Sequence, residues 1–150
     1  MNSIKAVIAG DLPPALGSSA RHADFVLPAD GKSVGEVRHL VQEQLSTWDI
    51  GSDGRETAAL VVSELFTNAL VHTTSSLITC AVEATADQLV IEVTDDGGSN
   101  STPTPRTAGL QDEGGRGLML VKSLSDLWGV ALSGDGRGRL VWAALRPARE

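Results

Sequence analysis

Apolar positions recur along the chain in two rhythms. Val34, Val37, Leu40, Val41, Leu45 and Trp48 repeat at helical spacing with one face to bury. Ser33, with Glu36 three residues on, has the wording of a capping box, and Gly51 offers a stop. A second helix is expected from Asp53, again with a glutamate, Glu56, at the capping-box position, and runs to about Thr73. Its apolar set (Leu60, Val61, Leu65, Phe66, Ala69, Leu70) is broad, which predicts a largely buried helix. The second rhythm is that of short runs rich in Val and Ile. Arg21 to Leu27, closed by Pro28, then Leu77 to Ala84 and Gln88 to Thr94, with a turn near Ala86 and Asp87, predict strands.

A third helix is expected from about Gly115 to Leu127, with Leu118, Val121, Leu124 and Leu127 or Trp128 inward. Gly129 to Ser133 and Arg139 to Leu145 read as a hairpin around Gly134, Asp135 and Gly136. Strands joined by short turns imply antiparallel pairing, and three helices must then cover one face. The fold class is α+β, a two-layer α/β sandwich rather than a doubly wound parallel sheet. Residues 1–20 read as a flexible leader and 21–150 as a single domain. Within the domain, residues 97–115 are almost all Gly, Pro, Ser, Thr and charged or amide side chains, a composition with little to bury.

Composition narrows the classes. A net charge of −7 argues against direct contact with nucleic acid, where phosphate neutralisation needs clustered Lys and Arg. It leaves open a nucleotide site, which backbone N–H groups and a metal can build. No apolar run approaches the roughly 20 residues that span a bilayer, and no secretory signal is visible. The single cysteine, Cys80, fits a reducing, cytoplasmic setting and reads as a small buried strand residue.

Three clusters carry candidate chemistry. Glu64, Asn68 and His72 follow one another at steps of four on the second helix, on one side, drifting by about 40° per step. A carboxylate and an amide on a mostly apolar helix need partners, and an oxygen-ligated Mg²⁺ would supply them. Taken alone, the cluster also reads as Glu64 and His72 on a solvated helix edge with Asn68 as an incidental surface amide. Asp95, Asp96, Gly97 and Gly98 end a strand in carboxylates followed by glycines. A buried carboxylate there suits the exocyclic amine of adenine, and an ordinary Asp-Gly turn explains the same residues. Gly114, Gly115, Arg116 and Gly117 open the third helix, where free N–H groups and the helix dipole favour phosphate, or where the glycines serve as a hinge. No P-loop ending and no dinucleotide fingerprint is present.

In this order and spacing the three clusters resemble the GHKL superfamily of ATP-binding domains. The wording VVSELFTNALVHT, VIEVTDDGG, GGRGLMLVKSLSDLWGV and the closing LVWAAL is similar to the actinomycete-type anti-sigma factor serine/threonine kinases. The resemblance covers about residues 21–145 and implies a Bergerat-type fold binding ATP and Mg²⁺. It implies Asn68 as the Mg²⁺ ligand, Glu64 as the general base and His72 as a phosphate-side residue. It implies Asp95 as acceptor for the adenine amine with Gly97 allowing close approach. Gly115 and Gly117 would hold phosphate oxygens, Arg116 would reach the γ-phosphate, and residues 98–114 would form the ATP lid.

Relatives often carry Thr just before the final Val-Trp, where this chain has Leu140, which puts one polar contact near Asp95 in question. The implied partners are a sigma factor and a STAS-domain anti-anti-sigma protein, with a homodimer as the implied assembly. Two functions stay open: a kinase that phosphorylates a serine or threonine on the STAS partner, and a non-catalytic ATP-binding or degenerate module that acts by association. The catalytic groups alone do not separate kinase from ATPase.

Overall fold

The computed structural model describes residues 12–73, 75–95, 121, 123–132 and 138–146. Strand β1 (Arg21–Pro28) leads into helices α1 (Lys32–Thr47) and α2 (Ser52–His72). Strands β2 (Leu77–Ala84), β3 (Leu89–Asp95), β4 (Leu127–Leu132) and β5 (Arg139–Leu145) follow. The strands form one antiparallel sheet in the order β1-β2-β3-β5-β4. Helix α2 lies over β3 in the middle of the sheet and α1 over the β1 edge, so the architecture is a two-layer α+β sandwich.

Alternation along the strands sorts the side chains. Ile78, Cys80, Val82, Leu89, Ile91, Val93, Val141, Ala143 and Leu145 meet Val37, Val41, Leu45, Val61, Val62, Leu65 and Phe66 in one core. The opposite face carries a smaller cluster of Val90, Trp142 and Ala144, with Leu16 and Leu140 against it. Leu16 thus places part of the segment before β1 against the sheet. Burial, and after it the negative charge of Glu92, pushes the Cys80 thiol up to about 12, so the thiol stays protonated and inert.

Several expected details shift. Ser33 is not the cap of α1, which already begins at Lys32. Gly31 is the cap and has no side chain to offer; Asp30, one residue before it, supplies the hydrogen bonds instead, its Oδ1 accepting from the Ser33 N–H at 3.1 Å and from the Ser33 hydroxyl at 3.2 Å. Gly51 does not stop α1 either. Asp49, at φ +64°, turns the chain, with Ile50 N donating to Leu45 O and Asp49 N to Ser46 O, the Schellman pattern. Gly51 instead precedes α2, and Asp53 falls within its first turn, where its charge complements the helix dipole.

Val121, Ser123 and Leu124 are helical, but most of the expected third helix lies outside the described residues. Leu127, expected in that helix, begins β4. Its N-terminal neighbour Asp126 already donates its N–H to Ala144 O at 2.9 Å, which draws the chain into the sheet.

Candidate functional site

The site is built where α2 crosses the end of β3 and the start of β5. Helical spacing puts Glu64, Asn68 and His72 on one side of α2, as expected. Glu64 and His72 are half-buried, and Asn68 is only 4% exposed. Asp95 ends β3 with 5% exposure, facing the helices in phase with Ile91 and Val93. A buried carboxylate at a strand end is the feature expected of an adenine acceptor. Gly97, Gly115, Arg116 and Gly117 lie outside the described residues, as does the expected lid at 98–114.

One residue at the centre escaped the sequence reading. Arg139 opens β5, and its Nη2 donates to Asn68 Oδ1 at 2.6 Å. Burial pulls the guanidinium pKa down, and the nearby Asp95 carboxylate opposes that by favouring the charged form. Arg139 therefore links the two expected site residues, Asn68 on the helix and Asp95 on the strand. A signal for it existed. Arg139 is in alternation with Val141, Ala143 and Leu145, so it is a cation on the core-facing phase of a strand.

Leu140 requires a correction. It was expected to weaken the polar surroundings of Asp95, but it packs on Val90, Trp142 and Ala144, on the sheet face away from α2. The residue of β5 that faces the site is Arg139.

The same geometry tests the expected groups. Nucleotide phosphates suit it, because Asn68 Nδ2 and Arg139 Nε are buried donors with no hydrogen-bond partner among the described residues. Mg²⁺ does not suit it. The oxygen of Asn68 expected to ligate the metal already accepts from a cation, and the atom left over is a donor. Among the described residues no helix is long and apolar enough to cross a membrane.

Known proteins share the fold. A crystal structure of the RsbU and RsbW domains of Rv1364c from Mycobacterium tuberculosis shares the fold, with a TM-score of 0.62 at 18% identity. The match covers 87% of this chain and 33% of that one, so the chain spans about a third of the length of the chain it matches. No curated protein sequence matches the chain significantly. The model of the histidine kinase-like ATPase domain matches residues 27–145, most of the chain, and the protein belongs to that family.

Proposed function

We propose that the protein binds ATP and regulates transcription as an anti-sigma factor, phosphorylating a serine or threonine of a STAS-type anti-anti-sigma partner. The observation that carries this reading is the convergence of Asn68, Arg139 and Asp95 beneath α2, with Glu64 one turn before Asn68. Asp95 accepts from the adenine amine, and the donors of Arg139 and Asn68 take phosphate oxygens. Glu64 accepts the proton of the attacking hydroxyl as the phosphoryl group passes to its oxygen and ADP leaves. Arg116, Gly115 and Gly117, with Gly97 on the adenine side, complete the proposed site, and His72 stands on its phosphate side. The name of the RsbW domain in the structural relative favours the anti-sigma assignment and the sigma and STAS partners.

Incubation with labelled ATP and candidate STAS proteins tests the reading. Transfer to one of them is expected. Glu64→Gln should keep ATP binding and slow transfer by roughly 10²-fold or more. Transfer at the wild-type rate in that variant removes Glu64 from the chemistry. A second reading, a non-catalytic ATP-binding module acting by association, is favoured by the Arg139–Asn68 bond, which takes up the expected metal ligand. ATP binding without transfer to any STAS partner, together with capture of a sigma factor, selects it.

A further inference from the structure

Strand alternation turns Arg139 toward α2, because the next residue, Leu140, packs on the other face. The Nη2–Oδ1 contact of 2.6 Å is short, as befits a charge-assisted hydrogen bond. It fixes the orientation of the Asn68 amide: Oδ1 faces the guanidinium, so Nδ2 points elsewhere. Asp95 favours the charged form of Arg139 in spite of its burial.

What remains after that bond is chemically one-sided. Asn68 Nδ2 and Arg139 Nε are both buried, both donors, and both without a hydrogen-bond partner among the described residues. Buried donors are normally satisfied, so this pair, one of them a nitrogen of the guanidinium itself, marks a place for an acceptor, and the positive charge favours an anionic one. A divalent cation asks for the reverse: lone pairs aimed at it and no positive charge close by. Here the one oxygen on offer from Asn68 has a cation in front of it.

We propose that Arg139 stands in for a divalent cation at this site, so that the phosphate chain of the nucleotide binds to Arg139 and Asn68 Nδ2 without metal. This rests on the nucleotide-binding reading given above and specifies its cation. Asn68 acts as a positioning residue for the guanidinium and as a donor, not as a metal ligand. The guanidinium supplies fixed, planar donors that a hydrated ion would have to be recruited to provide.

Titration calorimetry of the full chain with ATP, once in Mg²⁺ and once in EDTA, tests this, with inorganic tripolyphosphate as a second probe lacking adenine. The wild type should bind ATP with the same affinity in both buffers, and tripolyphosphate should compete in both. Arg139→Gln should lose roughly 10-fold to 100-fold in ATP affinity in EDTA, the loss of one or two charge-assisted hydrogen bonds. It should recover part of that loss in Mg²⁺, because Asn68 Oδ1 is then free. Arg139→Lys keeps a charge and should retain metal-independent binding, more weakly. Thermal melts of both variants check that they are folded.

Wild-type binding that requires Mg²⁺ overturns this proposal and leaves the ATP reading standing. Binding seen only once Arg139 is replaced also overturns it, since the arginine would then be a plug. Absence of ATP binding in the wild type and in both folded variants, with and without Mg²⁺, overturns the nucleotide reading itself and this proposal with it.

Discussion

Leu140 lies directly opposite Thr94 in the pairing of β3 with β5, on the sheet face turned away from α1 and α2. The residue one step before it points the other way and reaches Asn68. A polar side chain at position 140 would therefore contact the outer cluster and not the candidate site. Leu140→Thr should leave ATP affinity unchanged by calorimetry. It should cost about 1 kcal/mol of stability through lost packing on Val90 and Trp142. A change in ATP affinity of tenfold or more would contradict this placement.

Glu92 shows how the outer face responds to pH. Its carboxyl pKa is raised, first by burial and then by the charge of Glu83, with His22 acting against the shift. An acid whose pKa is higher in the folded than in the unfolded chain binds more protons when folded. Stability is then lost as pH rises through the window from the usual value of about 4.3 to the raised one. Glu92→Gln removes that loss. The variant should melt higher than wild type at pH 7, and the difference should vanish as pH falls to about 4. A difference independent of pH would mean that Glu92 acts through packing alone.

The end of α1 offers a simpler handle. Asp49 is held at φ +64°, a conformation that costs a side chain with a Cβ about 1 kcal/mol. Ile50 and Leu45, on either side of that turn, are both in the core, so the turn itself is fixed. Asp49→Gly should raise stability by up to about 1 kcal/mol in chemical denaturation, partly offset by the greater freedom of glycine in the unfolded chain. A destabilised variant would show that the aspartate side chain makes a contact worth more than the backbone cost.

At Gly129 the constraint is one of space. A Cβ built there would lie 2.8 Å from Trp142 Cζ2 and 2.9 Å from its Nε1, and the two residues are paired in register. Gly129→Ala should displace the indole and cost about 1–3 kcal/mol. A shift in tryptophan emission should accompany the drop in melting temperature. A shifted emission with unchanged stability would mean that the ring moves aside without cost.

The parts legible in the sequence were those set by local periodicity. The i, i+4 spacing alone put Glu64, Asn68 and His72 on one side of α2, and Val-rich runs marked the sheet. Asp95 was legible as a strand end. Arg139 was legible only as a cation on the core-facing phase of a strand, because its partner lies 71 residues away in sequence and its place depends on β5 lying beside β3. The capping of α1 was missed for a smaller reason. Asp30 and Ser33 both carry capping side chains, and only the backbone path decides which of them accepts the hydrogen bond. Leu127 went to the wrong element because an apolar residue at a helix-to-strand junction satisfies either period.

The strand order has a bearing on how the molecule is made. β5 is inserted between β3 and β4, although it follows both in sequence. A nascent chain emerging from the ribosome can pair β1, β2 and β3 and lay α1 and α2 over them, but β4 has no neighbour to join until β5 arrives. The guanidinium that meets Asn68 sits at the first position of that late strand. Translation must therefore run past residue 139 before Asn68 meets its guanidinium. Until then a growing chain displays helix α2 with its buried amide unmet, so the binding centre matures as the sheet closes.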